Sequence, residues 1–327
     1  MRGTLMANIH LPAPGRPYVL IEADGERAAG DIADDTVVAL YKTHGALLLR
    51  GFGGGLDEFR AFTARFCATS VFNESPGRDP IDDARNIHSV NRGMDPFPLH
   101  PELSREPWKP DVCFFCCFNP PRAQGETTIC DGVEIVRHML PEVRAGLEGR
   151  RLFYVQPTWP ALLDFWLGTP APTDAQLAAP PPLCPYSFQR LGGQIARVFS
   201  RPALHRPMFN DAPAFGNFLL FSRFYNGVPD FPVLDDARPV PEPWLQSVKA
   251  TGDRLSAAIA WEGGDLLMLD NTRFMHGRAA IVDADERLIA SYFGYLRFAL
   301  PNSEESADPP WRRTDFRPPM RTPAVLI

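Results

Sequence analysis

Two histidines and one glutamate carry the clearest chemical signal in the sequence. His100 and Glu102 are separated by one residue, and His276 lies far downstream in the run from Asp270 to Arg278. In a β-strand, residues i and i+2 point to the same face, so His100 and Glu102 could hold one metal ion. Two histidines and one carboxylate with open coordination positions are typical of non-haem Fe(II) oxygenases. We therefore predict that His100, Glu102 and His276 ligate iron and are the catalytic residues.

The His-x-Glu pair is weak evidence by itself. Seven histidines and 39 acidic residues among 327 predict roughly 0.8 such pairs by chance. Pro101 lacks a backbone N–H and belongs at the edge or end of a strand, which fits a rim position open to a substrate. The alternative is a surface loop that carries one histidine and one glutamate.

Length and composition predict a globular protein with a sizeable core. Of its 327 residues 45% are hydrophobic, and the net charge is −6 without a basic block, so nucleic acid is not an expected partner. No apolar run approaches the roughly 20 residues of a membrane span, and the N-terminus lacks the apolar core of a signal peptide. We expect a cytoplasmic protein without a membrane partner.

Six cysteines raise the alternative of a zinc site. Cys113, Cys116 and Cys117 have a zinc-like spacing, but they lie in the apolar run from Val112 to Phe118, which is typical of a buried strand. Buried free cysteine behaves as a small hydrophobic residue, so we expect these side chains in the core.

The elements that would position the candidate ligands form two sections. An N-terminal α/β section covers about residues 1–80, with a helix that ends near Lys42, a strand at Gly45 to Gly51 and a helix at Leu56 to Phe66. Strand patterns dominate from about 86 to 300, around a mainly helical insert at about 156–260. This order indicates an α+β fold with a mainly β, barrel-like core and flanking helices. We predict strands at 86–90, 112–118, 127–130, 151–155, 195–199, 217–221, 265–270 and 288–298, and helices at 133–147 (broken near Pro141), 159–166 and 241–261.

Taken together, these motifs resemble the taurine dioxygenase-like (clavaminate synthase-like) family of Fe(II)- and 2-oxoglutarate-dependent dioxygenases. The likeness extends from about Gly45 to Phe298. It implies a double-stranded β-helix, or jelly-roll, in a single domain that covers residues 1–327. Four parts follow the family's order: the strand at Gly45 to Gly51, His100-x-Glu102, Pro120-Pro121 through Gly125-Glu126-Thr127, and Gly264-Asp265-Leu266 through Asp270-Asn271 and His276 to Arg287.

The resemblance implies cofactors and their binding residues. The three iron ligands would leave sites for two oxygens of 2-oxoglutarate and for O₂. Arg287 matches the arginine that binds the far carboxylate of 2-oxoglutarate, a task that suits the planar guanidinium. Its alternative is a surface arginine after the turn at 283–286. Thr127 matches a threonine that hydrogen-bonds the same carboxylate, with Thr128 as an alternative. Arg278 would support the cosubstrate or bind an anionic substrate group, unless it forms a structural salt bridge with Asp270 or another nearby carboxylate.

Two positions depart from the best-known members of the family. Ser291 stands four residues after Arg287, where taurine dioxygenase itself has an arginine that holds the sulfonate, so taurine is not an expected substrate. The carboxylate ligand is Glu102 rather than aspartate. Related halogenases have glycine or alanine at that position to admit chloride, so chlorination is not expected either.

The resemblance therefore implies hydroxylation of an unactivated C–H bond in a small molecule, either an amino acid or a natural-product intermediate. The substrate could be bound to a carrier protein, and the enzyme could form a homo-oligomer. The same oxidant could instead give desaturation, cyclisation or epimerisation. Further alternatives are a non-catalytic jelly-roll binding protein and a zinc hydrolase, but the latter would not need Arg287. The candidate substrate-binding residues are Asn91, Arg223, Asn226 and Asn271, with His88, Arg92, Tyr225 and Arg278 as further polar candidates.

Overall fold

Two β-sheets form the centre of the protein in the computed structural model, which describes residues 7–72, 77–91, 93–282, 287–302 and 304–320. The strands there are β1 (Asn8–His10), β2 (Val19–Glu22), β3 (Ala46–Arg50), β4 (Cys67–Ser70), β5 (Pro80–Asp82), β6 (Ile87–Ser89), β7 (Phe97–His100), β8 (Val112–Asn119), β9 (Thr127–Asp131), β10 (Arg151–Pro157), β11 (Ser187–Leu191), β12 (Gln194–Pro202), β13 (Val233–Leu234), β14 (Ala257–Ile259), β15 (Leu266–Asp270), β16 (Phe274–Arg278) and β17 (Leu288–Leu296). The α-helices there are α1 (Asp34–His44), α2 (Leu56–Phe66), α3 (Gly132–Arg137), α4 (Pro141–Leu147), α5 (Pro160–Leu167), α6 (Asp174–Ala178), α7 (Leu219–Phe224) and α8 (Glu242–Leu255).

The larger and the smaller sheet enclose a jelly-roll core. The larger sheet has the order β1-β2-β3-β15-β8-β17-β6-β5, with β4 also paired to β17, and the smaller sheet has the order β14-β9-β16-β7. Strands β2 and β3 are parallel, whereas the strands around the core are antiparallel. One hydrophobic cluster contains Leu48 and Phe115 of the larger sheet together with Ile129 and Phe274 of the smaller sheet. The predicted α+β, mainly β fold is confirmed.

Strand β8 is apolar on both faces because both faces are covered. Phe114 and Cys116 belong to the cluster beneath α1 and α2. Cys113, Phe115 and Cys117 belong to the cluster inside the jelly-roll. Since successive residues of a strand point to opposite faces, Cys113 and Cys116 cannot meet at one metal ion. The buried cysteines are therefore part of the core, as their apolar surroundings predict.

The region from 133 to 260 contains both confirmed and incorrect predictions. The strands predicted at 151–155 and 195–199 are β10 and β12, and the helix predicted at 159–166 is α5. The predicted break is present, because α3 ends at Arg137 and α4 begins at Pro141. The predicted strand at 217–221 is instead the start of α7, where Asn217 Oδ1 accepts from the backbone N–H of Leu219 at 3.1 Å. The predicted helix at 241–261 ends at Leu255, and the following residues form β14 beside β9. The insert is also not mainly helical, since it supplies most of a third sheet, β11-β12-β10-β13.

Candidate active site

Strands β7 and β16 bring the two predicted histidine ligands together on the inner face of the smaller sheet. The strands are antiparallel with His276 opposite His100, and the two ring centroids lie 4.6 Å apart. Met275 packs in the cluster on the outer face, as the alternation of a strand requires. Gly277 allows β7 to approach closely, because a Cβ atom there would lie 2.6 Å from the carbonyl oxygen of Phe97.

Glu102 is oriented by a turn and not by a strand. Strand β7 ends at His100, so the predicted i, i+2 geometry does not apply. The backbone N–H of Glu102 donates to Asn271 Oδ1 at 2.8 Å, and Asn271 Nδ2 donates to the carbonyl oxygens of Glu102 at 3.1 Å and Pro110 at 2.9 Å. The predicted substrate contact of Asn271 is therefore wrong, because its buried amide holds the main chain of the turn that carries Glu102.

The three predicted ligands form a compact group. One donor atom from each of His100, Glu102 and His276 lies within 4.8 Å of the others, and no other group of this kind occurs in the described residues. Nε2 of His276 is 3.8 Å from Oε2 of Glu102. Nδ1 of His100 lies 2.8 Å from the carbonyl oxygen of Pro98. This contact assigns the proton to Nδ1 and leaves Nε2 as the ligand atom.

Burial keeps both histidines in the state that a metal needs. It lowers the pKa of His100, and it lowers the pKa of His276 well below the usual value. Both rings therefore present neutral imidazole, the form that ligates divalent metals. Glu102 and His276 are buried, so few water molecules can compete for the donor atoms. The geometry, the donor types and the protonation state all fit a divalent iron ion.

The group opens into a cavity of about 380 Å³. One wall is aromatic, with the rings of Phe97, Phe221 and Tyr225 in mutual contact. The aromatic wall also reaches the predicted ligand, since the rings of Phe221 and His100 are 4.6 Å apart. Among the described residues of the lining, four arginines contribute positive charge opposite one carboxylate, that of Glu102; they are Arg78, Arg105, Arg278 and Arg287.

Arg287 and Thr127 both line this cavity. Arg287 Nε donates to the carbonyl oxygen of Gly125 at 3.1 Å. Burial, with a smaller contribution from the nearby Arg278, lowers the pKa of Arg287 to about 10. Thr127 Oγ1 accepts from the indole N–H of Trp261 at 3.1 Å, which leaves its own hydroxyl proton for another acceptor. The pair could therefore bind a carboxylate.

The alternative residue Thr128 lies on the opposite face of β9 from Thr127. Thr127 and Ile129 share one face, and Ile129 belongs to the interior cluster. Thr128 lines a separate outer pocket with Phe224 and Lys249. The structure therefore favours Thr127 over Thr128 as the residue that faces the cavity.

Arg278 connects β16 to the loop before β7. Its guanidinium donates to the carbonyl oxygens of Asn91 at 2.6 Å, Gly93 at 3.0 Å and Asp95 at 2.7 Å. It also stacks on Phe97, with 4.2 Å from Cζ to the ring centroid. These bonds hold the rim of the cavity. The alternative was a salt bridge between Arg278 and a carboxylate. Within the described residues, Arg278 donates instead to three main-chain carbonyl oxygens.

Only some of the remaining predicted substrate residues line the cavity. Asn91, Tyr225 and Asn226 line the cavity. Arg223 pairs with Glu242 of α8 at 2.5 Å, so its predicted role is wrong; it joins two helices. His88 contributes its carbonyl oxygen to a hydrogen bond from Ser291 at 3.1 Å. Arg92 lies outside the described residues.

Arg78 is the cavity residue that sequence reasoning missed. Its guanidinium donates to Glu102 Oε2 at 2.8 Å, to Asn91 Oδ1 at 2.8 Å and to Ser291 Oγ at 3.3 Å. It also lies over the ring of Phe293, 4.7 Å from the centroid. A cation therefore stands beside Ser291, and it is paired with Glu102. No motif surrounds Arg78 that could have indicated this contact.

Comparisons with known proteins agree with the jelly-roll and its buried metal-ligand group. The model of the family described as "Taurine catabolism dioxygenase TauD, TfdA family" matches residues 14–292. The chain belongs to this family and is a dioxygenase. A search of curated protein sequences found no significant match.

Solved structures show the same fold at low sequence identity. PvcB from Pseudomonas aeruginosa is 14% identical with a TM-score of 0.58, covering 93% of this chain and 96% of that chain. A taurine dioxygenase from Burkholderia xenovorans is 13% identical with a TM-score of 0.58, covering 90% and 91%. AAD-2 in complex with Mn(II) and N-oxalylglycine is 13% identical with a TM-score of 0.55, covering 91% and 98%.

In the part of the chain that the structure describes, every helix is too short or too polar to cross a bilayer.

Proposed function

We propose that this dioxygenase uses Fe(II), 2-oxoglutarate and O₂ to hydroxylate an unactivated C–H bond of a small molecule. The substrate would be an amino acid or a natural-product intermediate, free or attached to a carrier protein. The observation that carries the proposal is the convergence of His100, Glu102 and His276 in one cavity with Arg287. A PvcB structure is described as an Fe, alpha-ketoglutarate dependent oxygenase from an isonitrile synthetic pathway, which supports the cofactor and the substrate class.

His100, Glu102 and His276 would hold the iron, because two neutral imidazoles and one carboxylate are the ligand set of non-haem Fe(II) oxygenases. When bound, the iron supplies O₂ activation coupled to the decarboxylation of 2-oxoglutarate to succinate and CO₂, and through it the oxidation of the substrate. The protein must exclude water from this reaction. The rings of Phe221 against His100 and of Phe115 against His276, at 4.6 and 5.2 Å between centroids, form such an apolar shield.

Arg287 would bind the far carboxylate of 2-oxoglutarate. Within the described residues it forms no ion pair, although it is largely buried, so a carboxylate would compensate a buried charge. Thr127 would donate its hydroxyl proton to the same group, because Trp261 already occupies a hydroxyl lone pair. The positive charge of Arg287 and the free hydroxyl proton of Thr127 thus both favour a cosubstrate that carries a second carboxylate.

Two alternatives of another class are less well supported. A non-catalytic binding protein would have no use for a buried group of three metal ligands, and a zinc hydrolase would have no use for Arg287 in the same cavity. Desaturation, cyclisation or epimerisation would use the same residues as hydroxylation. Analysis of the reaction product would distinguish these three reactions from hydroxylation.

An anaerobic titration tests the proposal. Fe(II) added to the protein with 2-oxoglutarate should produce the weak visible charge-transfer band of the chelate, and admission of O₂ should produce succinate. The His276→Ala variant should show neither. Absence of both signals from the wild-type protein would reject the proposed function, and mass analysis of the oxidised substrate would distinguish hydroxylation from desaturation.

A further inference from the structure

Arg78 and the predicted metal would both use the carboxylate of Glu102. Oε2 of Glu102 accepts from Arg78 Nη2 at 2.8 Å, and the same Oε2 is the atom 3.8 Å from Nε2 of His276. The side chains of Arg78 and Glu102 are 9% and 6% exposed, so bulk water compensates neither charge. A metal ion bound to Oε2 would draw negative charge from the oxygen to which Arg78 donates, and it would therefore weaken the Arg78–Glu102 pair.

Among the described residues, the cavity offers no second carboxylate to replace it. Of those residues, Glu102 is the one acidic side chain in the cavity lining and the one carboxylate that pairs with Arg78. A buried charge without a partner is strongly unfavourable. Arg78 is also held in place by Asn91 and Ser291, so it cannot easily turn towards solvent.

The other three arginines of the cavity are already engaged. Arg278 is bound to three carbonyl oxygens, and Arg287 is assigned to the cosubstrate. Arg105 is 41% exposed at its side chain, lies 5.5 Å from the Phe218 ring centroid and is 3.9 Å from a carboxylate oxygen of Glu106. Arg78 is thus the cation that needs a new anion once the metal site is filled.

We propose that Arg78 is the receptor for a carboxylate of the substrate, and that Glu102 occupies this receptor until Glu102 ligates the metal. The proposal rests on the function proposed above and narrows its substrate class. The substrate carries a carboxylate, because the planar guanidinium matches a carboxylate through two parallel hydrogen bonds. Its body is largely apolar, because one wall of the cavity is built from Phe97, Phe221 and Tyr225.

This arrangement makes metal binding and carboxylate binding mutually favourable. With the metal absent, a carboxylate must displace Glu102 from Arg78. With the metal bound, Arg78 is free and the displacement is no longer needed. By thermodynamic reciprocity, the carboxylate must then strengthen metal binding by the same factor. Because metal binding releases Arg78 from Glu102, the metal should bind before the substrate.

The test uses Mn(II) as the metal, N-oxalylglycine to fill the cosubstrate position, and two probes that differ in charge, 3-phenylpropionate and 3-phenylpropionamide. Calorimetry should show that the wild-type protein with Mn(II) and N-oxalylglycine binds the carboxylate at least about tenfold more tightly than the amide. Without Mn(II) this preference should disappear. Equal binding of the two probes, or equal preference with and without metal, would overturn the proposal.

Variants separate this role from a structural one. Arg78→Gln should lose the carboxylate preference and should bind Mn(II) about tenfold more tightly, because a competing cation is removed from Glu102. Arg78→Lys should recover part of the preference. Arg223→Gln, which changes an arginine outside the cavity, is the matched control and should behave as wild type in both titrations. Unchanged or weaker Mn(II) binding in Arg78→Gln would contradict the competition.

The two proposals fail in different ways. If the wild-type protein binds neither Mn(II) nor N-oxalylglycine, the proposed function is wrong. If it binds both but does not distinguish the carboxylate from the amide, only the assignment of Arg78 is wrong.

Discussion

The side chain of Asn271 forms two hydrogen bonds with the main chain of Glu102, one as acceptor and one as donor. Asn271 lies in the turn between β15 and β16, so it joins the larger sheet to the strand of His276. Glu102 is therefore positioned by the same turn that leads from β15 into the strand of His276. This relationship gives the first prediction.

Asn271→Ala should weaken Mn(II) binding by about 10- to 100-fold, the usual effect of losing a group that orients a metal ligand. The physical reason is that the turn carrying Glu102 loses two hydrogen bonds, and Pro110 loses a third, while all three ligands remain. Asn271→Asp keeps the acceptor for the Glu102 N–H and should show a smaller loss. The Mn(II) affinity can be measured by electron paramagnetic resonance of the free ion. A folded Asn271→Ala protein with wild-type affinity would show that the turn is rigid without this side chain.

Much of the candidate site could be predicted because it depends on local sequence. His100, Glu102 and His276 were identifiable from residue type and spacing, and β8 from its continuous apolar run. The residues that support them could not be predicted in this way. Arg78 and Asn271 act through side-chain contacts with Glu102 that span 24 and 169 positions. Neither spacing nor periodicity contains information about such contacts.

The incorrect helix and strand assignments have a similar cause. The run at 217–221 is short and apolar, which fits a strand and a buried helix equally well. The polar side chain of Asn217, which donates to Ala203 and accepts from Leu219, makes the local turn that begins α7. Tertiary contacts also decide where α8 ends, since Ala257–Ile259 gain a pairing with β9.

The second prediction concerns Lys109, which follows the Glu102 turn and is buried. Its pKa is lowered to about 7, mainly by burial and to a smaller extent by Arg201, against opposing effects of Glu304 and Asp270. An unfolded lysine has a pKa of about 10.4. Between these values the unfolded chain binds a proton that the folded protein does not, so this group makes the protein more stable as pH rises through that window.

Lys109→Met should therefore stabilise the protein at pH 7 by on the order of 1–3 kcal/mol, the cost of a buried polar group without compensation. The gain should shrink towards pH 10, where the folded lysine is neutral and the unfolded lysine begins to lose its proton. Urea unfolding at pH 7 and pH 9.5 measures it. Lys249→Met, which removes an exposed partner of Asp253, should change stability by no more than about 0.5 kcal/mol. A gain from Lys109→Met that does not depend on pH would refute the titration argument.

The third prediction is that His276→Ala loses Mn(II) binding and all turnover, because one of three ligands is removed from a site with no spare donor in the described residues. The buried position makes replacement by water a poor substitute. His205→Ala would be an unsuitable control, since His205 Nε2 contacts the carbonyl oxygen of Thr272 at 2.6 Å. His138→Ala, at an exposed position, should retain full metal binding. Normal decarboxylation of 2-oxoglutarate by His276→Ala would show that His276 is not a metal ligand.

The fourth prediction is that Arg287 governs the cosubstrate and not the metal. Truncating one partner of a buried charge-assisted pair costs on the order of 2–5 kcal/mol, and about 1.4 kcal/mol corresponds to a tenfold change in affinity. Arg287→Ala should therefore raise the 2-oxoglutarate requirement by roughly 30-fold or more. Arg287→Lys should recover only part of it, because lysine keeps the charge but not the planar fork.

Both dissociation constants should be measured on the same Arg287→Ala protein, with Arg223→Ala as the matched control outside the cavity. Mn(II) affinity should stay close to wild type, because His100, Glu102 and His276 are unchanged. If the 2-oxoglutarate constant is also unchanged, another cation holds the far carboxylate. Arg278 would then be the first residue to test, because it lies beside Thr127 across β9 and β16 and lines the same cavity. Loss of 2-oxoglutarate binding in Arg278→Ala but not in Arg287→Ala would transfer the role to Arg278.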